Sequence, residues 1–395
     1  MRRLLHRLGK WEYSLLCLLV VISLALHFSI IRLPDKTVFD EVHYVTDART
    51  IIEGKETIRA EHPSLGKLFV IAGMLMFGDN SFGWRFFSVI LGAVSIVLFY
   101  LICRNLSLSK KASYIATFLL TFENMSFILS GMAMLDITCM TFTLAAFWLY
   151  LRGNYPASGI MVALSALAKL NGALAVLVII LHWLIVRRDR LWEFFGLVVF
   201  APIFFIFLMP LTDWYVFHKF MNPLERIWTM LKSSGSLTFA TVDNSYSSPP
   251  WEWLFRYDLT PYTFKPNYLG VVSYTVMFLA VPMMIYNTIR AIKSNDAGLF
   301  SILWFACIYL IWMPAVLITD RVTYPYYIYH TVGAICISLG MVLSQMVRFW
   351  EIRDRGKVRW VVLSVVVVYL LAHLAFFAIM APVSYWWGTP VFSST

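Results

Sequence analysis

The sequence has 395 residues, of which 60% are hydrophobic and 14% charged, against about a quarter charged in a soluble domain. That balance excludes an ordinary soluble enzyme. The formal net charge of +10 does not mark a nucleic-acid binder, because the Lys and Arg residues sit in short loops between apolar runs.

A hydrocarbon core about 30 Å thick calls for about 20 apolar residues per helix. In chain order the predicted spans are residues 13–33, 82–103, 112–130, 134–151, 157–168, 171–186, 191–211, 269–287, 298–318, 325–347 and 360–380. The fold class is therefore all-α and membrane-integral: a polytopic bundle of about eleven transmembrane helices in one domain over 1–395, with no separate soluble domain. The apolar run behind MRRLLHRLGK exceeds the roughly 7–15 residues of a signal peptide core, so it is expected to be a retained first span. Residues 157–186 are short for two full crossings and are expected as short or broken helices. They are divided there because Lys110-Lys111, Arg152 and Arg187-Arg188 should share the cytoplasmic side.

With the N-terminus cytoplasmic, the C-terminus and two large connecting segments fall outside. Basic clusters Arg187 to Arg190 and Arg348 to Arg359 stay inside, and Trp84, Trp148, Trp183, Trp192, Trp350 and Trp360 fit interfacial belts. The first outer segment, 34–81, carries a polar acidic stretch and then the apolar run Leu68 to Phe77, too short to cross and expected as an interfacial or re-entrant helix. The second, 212–268, is rich in Trp, Tyr, Ser and Pro. No internal repeat is visible, which disfavours a transporter or flippase of lipid-linked glycans, although such a protein would also need charged residues around an outer cavity. The five cysteines, Cys17, Cys103, Cys139, Cys307 and Cys336, lie in or beside apolar runs with no CxxC spacing, and read as small buried hydrophobes.

The polar residues that stand out collect on the outer side. VFDEVHY holds Asp40, Glu41 and His43; adjacent carboxylates offer a base and a second group for orientation or a cation, or merely a solvated loop start. EHPSLGK sets His62 and Lys67 at the start of the short outer helix, where Lys67 suits an anionic headgroup or a membrane-surface anchor. Arg85, Glu123, Asp136 and Lys169 are ionisable residues in or beside spans, costly there and functional by default; Arg85 also suits snorkelling, and Asp136 with Lys169 a structural pair. The SYSSPPWEWLF stretch, Ser245 to Phe255, with Tyr246, Trp251 and Trp253, suits an aromatic acceptor surface or an interfacial anchor. Arg321 in ITDRVTYPYYIYH suits a phosphate through paired N–H donors, or pairing with Asp320 or lipid headgroups.

FDEVHY, then HPSLGK, then WRFFSV, FEN with MLD, ALAKLNG, SPPWEW and DRVTYPYYIY, in this order, closely resemble the protein O-mannosyltransferase family. These are polyprenyl-phosphate-sugar-dependent glycosyltransferases of the multi-span C superfamily. The resemblance implies inverting transfer of one sugar, mannose or a similar hexose, from a polyprenyl- or dolichyl-phosphate carrier to a hydroxyl acceptor. The expected acceptor is Ser or Thr of a protein, with a glycolipid or cell-surface glycan as the alternative. Asp40 would be the catalytic base and Glu41 its partner. Arg85, Lys169, Arg321, His62 and Lys67 would serve the donor phosphate; Trp251, Trp253 and Tyr246 the acceptor side; Glu123, Asp136 and Tyr324 the site's support. No cofactor is implied, and a divalent metal is left open. HPSLGK replaces the more usual HPPL, and 212–268 carries no large β-rich insertion. Both point to the plasma membrane of a bacterium or archaeon and leave the acceptor open.

Overall fold

The computed structural model describes residues 13–57, 59–188, 190–242, 246–256, 259–264, 266–352 and 356–387. The basic N-terminal stretch, Asp189, Ser245 and residues 353–355, named above, lie outside the described residues. Each of the eleven predicted spans coincides with a helical segment. In order these are α1 (Ser14–Ile30), then two connecting helices α2 (Glu41–Ile52) and α3 (Leu65–Phe77), then α4 (Ser81–Asn105), α5 (Lys110–Thr121), α6 (Asn124–Ser130), α7 (Leu135–Leu151) and α8 (Tyr155–Ala168). A 3-10 turn, Leu170–Leu174, leads into α9 (Ala175–His182), followed by α10 (Leu191–Phe217) and the amphipathic α11 (Pro223–Gly235). The second half holds α12 (Tyr274–Met277), α13 (Ala280–Ile292), α14 (Asp296–Tyr309), α15 (Trp312–Thr319), a 3-10 segment Pro325–Thr331, α16 (Val332–Glu351) and α17 (Val358–Met380).

Among the described residues seven helical segments are long and apolar enough to cross a membrane, or eight if α5 and α6 count as one bent span. α1, α7 and α8 stand where the sequence predicts spans 13–33, 134–151 and 157–168, and are apolar but shorter. Three expectations change. Residues 112–130 are not one straight helix but turn by 63° between α5 and α6. The fold is not purely α-helical, since Thr260–Phe264 (β1) and Asn267–Gly270 (β2) form an antiparallel hairpin. That strand takes the first residues of the predicted 269–287 span, and the helix starts at Tyr274.

The bend has a local cause. Glu123 leaves the helical conformation (φ −82°, ψ 126°) and its carboxylate accepts from the N–H groups of Met125 and Ser126, capping the N-terminus of α6. It also accepts from the Ser126 hydroxyl and, at 2.8 Å, from Ser273 N–H. Asn124 donates to the carbonyls of Leu269 and Val271. The FEN motif thus ties the break to the strand below it. A second constraint joins α3 to α4. Both are glycine-bearing at their crossing, and a Cβ on Gly73 would stand 2.1 Å from the Gly83 carbonyl oxygen. The largest apolar cluster runs through α4, α5, α7, α9, α14 and α16 and reaches Val38, Tyr44, Trp253 and Tyr262 in the two long connecting segments.

Glu123→Ala is expected to leave four buried donors unmet. It should lower stability by roughly 1–3 kcal/mol, measured as a drop in the detergent-solubilised unfolding temperature.

Candidate active site

The end of the bundle that bears α2 and α3 holds a cavity of about 530 Å³. Its construction starts at Phe39, whose φ of +50° lies in the left-handed region, a strained choice for a bulky residue. The ring is held by stacking on Tyr262 at 4.0 Å and meeting Tyr326 edge-on at 5.9 Å. This turn launches α2 with Asp40 at its N-cap and Glu41 as its first residue. Successive helical side chains diverge by about 100°, so the two carboxylates part company. Asp40 lines the cavity; Glu41 points into the protein, fully buried.

Glu41 meets Arg85 there. Arg85 Nε and Nη2 donate to the two carboxylate oxygens at 2.8 Å each, in the fork geometry that favours guanidinium–carboxylate pairs. Glu41 also accepts from Ala133 N–H at 2.8 Å and Val38 N–H at 3.2 Å. The other Arg85 N–H groups go to the carbonyls of Ile31, Leu33, Pro34 and Lys36. This corrects two expectations. Arg85 has no N–H left for a donor phosphate, and neither Arg85 nor Glu41 lines the cavity.

Asp40 is half-buried, and among the described residues its carboxylate accepts no hydrogen bond. Burial raises its pKa above the ordinary 3.8; nearby Asp136 raises it further, and Lys169 and His43 oppose both. Lys169 breaks out of α8 in an extended conformation (φ −155°, ψ 132°). Its ammonium donates to Asp136 at 2.8 Å and sits 5.6 and 5.4 Å from the rings of Tyr326 and Tyr327. Asp136 lies behind Lys169 and does not line the cavity. Arg321 does line it, bridging backbone-to-backbone with Thr238. Its buried Nε has no hydrogen-bond partner among the described residues. Asp320, the alternative partner, instead accepts from Ala240 N–H.

His62, Lys67 and Tyr324 also line the cavity. Burial, reinforced by Lys169 and Lys67, pushes the His62 pKa down to about 3, so its imidazole is neutral and offers an N–H, not a charge. Lys67 is 2% exposed and pairs with Asp47 at 2.7 Å, so its positive charge is already matched. Glu123 is distant, occupied in capping α6. The aromatic loop departs most from expectation. Trp253 is 1% exposed, donates to the Ser248 carbonyl and packs on Tyr309, Trp312 and Tyr327. It is a post behind the cavity wall, not an acceptor surface. Trp251 and Tyr246 are exposed and do not line the cavity.

Several lining residues escaped the sequence reading: Tyr44, Asn171, Tyr326 and Tyr327, with an apolar side from Leu170, Leu174, Leu231, Leu237, Ile311 and Ala315. The tyrosines lie inside quoted motifs, and a run of four Tyr beside a lone Arg was the available signal. Arg226 gave none. It is fully buried under α11, bonds Asp213 at 3.0 Å and the carbonyls of Ala60 and His62, and so fixes the HPSLGK turn. Asp213 in turn accepts from Ser64 at 2.5 Å. Among the described residues no three His, Cys, Asp or Glu side chains gather as a metal would require.

Glu41→Gln strands the Arg85 charge in the interior. It should cost roughly 3–5 kcal/mol, seen as lost folded yield in fluorescence-detected gel filtration. Asp40→Asn, which breaks no hydrogen bond, should elute as wild type.

The family model described as dolichyl-phosphate-mannose-protein mannosyltransferase matches residues 17–223. The polyprenol-phosphate-mannose–protein mannosyltransferase of Mycobacterium tuberculosis is 33% identical over 150 residues, covering 36% of this chain and 29% of that protein. The dolichyl-phosphate-mannose–protein mannosyltransferase 1 of Saccharomyces cerevisiae is 30% identical over 174 residues, covering 38% of this chain and 21% of that protein. The matches thus span less than a third of these relatives' length. Among solved structures, the Saccharomyces cerevisiae Pmt1-Pmt2 complex bound to the sugar donor superposes with a TM-score of 0.78 at 14% identity, covering 95% of this chain and 90% of that one. ArnT from Cupriavidus metallidurans bound to undecaprenyl phosphate gives 0.62 at 16% identity, covering 92% and 76%. These likenesses establish a shared membrane fold. With the family model spanning more than half of its length, the chain belongs to the dolichyl-phosphate-mannose-protein mannosyltransferase family.

Proposed function

We propose that the chain is an inverting glycosyltransferase that moves one sugar, mannose by kinship, from a polyprenyl-phosphate carrier to a hydroxyl group, Ser or Thr of a protein. The carrying observation is one cavity in which Asp40, a carboxylate without hydrogen bonds among the described residues, shares the space with a guanidinium nitrogen of Arg321 that has no partner among them. In this reading the acceptor oxygen attacks the anomeric carbon from the face opposite the phosphate. The C–O bond to the acceptor forms as the bond to the phosphate oxygen breaks, and the acceptor proton passes to Asp40. The carrier phosphate leaves with the electron pair. Arg321, and Lys169 beyond its pairing to Asp136, offset the charge that grows on it.

The apolar side of the cavity suits the first isoprene units of the carrier, and the aromatic side, Tyr324, Tyr326 and Tyr327, suits a sugar face. The eleven helical segments would each cross the bilayer, with α1, α7 and α8 as short crossings. The N-terminus would be cytoplasmic, and the cavity and C-terminus extracytoplasmic, in the plasma membrane of a bacterium or archaeon.

Incubating the purified protein with a panel of radiolabelled polyprenyl-phosphate sugars and a Ser/Thr peptide tests this reading. Polyprenyl-phosphate mannose should be turned over and the peptide labelled; no turnover of any such donor would overturn the class. Asp40→Asn should lower transfer by roughly 10²–10⁴-fold while remaining folded, and an active Asp40→Asn protein would remove the base assignment. Arg321→Ala should raise the donor KM by about tenfold or more with a smaller change for the acceptor peptide.

The pH profile carries the sign of the Asp40 shift. A raised pKa keeps the proton on to higher pH, so the base form is lost sooner on acidification. The acid limb of kcat/KM should fall with a midpoint above 3.8, and this limb should be missing from the residual activity of Asp40→Asn.

A further inference from the structure

A second cavity, of about 500 Å³, lies between the ends of α4, α5, α13, α14 and α16. It is far from the first. α4 carries Arg85 in its second turn, beside the first cavity, and reaches this cavity just past its last residue, Asn105; the stretch from Arg85 to Asn105 rises about 30 Å. The lining is basic: Lys110, Lys111, Arg290 and Arg348, against the single carboxylate of Glu351. Glu351 is matched by an ion pair with Lys111. Among the described residues, neither the Arg290 nor the Arg348 guanidinium has a hydrogen-bond or ion-pair partner, and the Arg290 Nε is buried. An unpaired guanidinium nitrogen withdrawn from water is costly unless something binds it.

Two helix N-termini add to the positive potential. α5 starts from Ser109, and α14 from Asn295, each capped by its own side chain, and both caps line the cavity. First-turn N–H groups and the helix dipole favour an anion at such ends. The acidic residue nearest the α14 start, Asp296, accepts from or pairs with His182 at 2.9 Å and is not part of the lining. Gly298 leaves room for this arrangement, because a Cβ there would stand 2.6 Å from the Arg290 Cβ.

We propose that this cavity binds a phosphate-bearing anionic group, with Arg290 and Arg348 as its direct donors and Lys110 supporting them. The same chemistry is presented by an anionic phospholipid headgroup and by free phosphate, and the test separates the two. The full chain is reconstituted in nanodiscs of phosphatidylcholine alone, of phosphatidylcholine with phosphatidylglycerol, or of phosphatidylcholine with added inorganic pyrophosphate, and its unfolding temperature is followed. Stabilisation by phosphatidylglycerol alone assigns a headgroup; stabilisation by pyrophosphate in neutral discs assigns a soluble phosphate. In either case Arg290→Gln should raise the half-saturating concentration about tenfold. Arg348 is exposed, so Arg348→Gln keeps the fold and gives the same reading if Arg290→Gln does not accumulate. Lys357→Gln, an exposed basic residue outside the cavity, should change nothing. The proposal falls if neither probe stabilises the protein, or if Lys357→Gln weakens the effect as much as Arg348→Gln.

Discussion

Glu41 and Arg85 form an ion pair from which water is excluded on every side. Burying two charges carries a desolvation cost of several kcal/mol per ion, offset only where geometry is good and the remaining donors and acceptors are satisfied. Here they are: the carboxylate takes two guanidinium bonds and two backbone N–H groups, and the guanidinium reaches four carbonyls in the segment between α1 and α2. That single knot binds the end of α1, the start of α2, the second turn of α4 and the loop ahead of α7. Asp40 is adjacent to it in the chain, so its place in the cavity follows from where Glu41 is held.

The same logic recurs on a smaller scale around the cavity. Asp47 gathers Lys67, Arg59 and Thr57, and Asp213 gathers Arg226 and Ser64. Each buried carboxylate pins a turn that carries cavity residues. Among the described residues Arg321 is the cavity cation without a carboxylate partner, which sets it apart from Lys67 and Lys169.

Much of this was legible in the sequence, because apolar runs dictate helices in lipid and because the FDEVHY and HPSLGK motifs sit where a bundle must close over its outer end. What was not legible is rotation about a helix axis. Asp40 and Glu41 are chemically near-equivalent neighbours, and only the left-handed turn at Phe39 decides which faces the cavity. Arg85 reads as a cation at phosphate depth until its partner, 44 residues earlier in the chain, is seen. Trp251 and Trp253 are likewise two residues apart, yet one is exposed and the other a buried post. The bend at Glu123 needed Ser273, a contact of 150 residues' separation, and no local pattern announces such a partner.

The close crossing of α3 on α4 has a further consequence. Because Gly73 rests directly on the Gly83 carbonyl, there is no side chain between the two helices to yield, and α3 cannot slide or roll without losing contact. Lys67 rides on one of these rods and Arg85 on the other, so the Asp47 and Glu41 knots are kept in step by the absence of two methyl groups. The constraint therefore reaches well outside the cavity: a single added carbon at a residue that does not line it would misalign both ion pairs together.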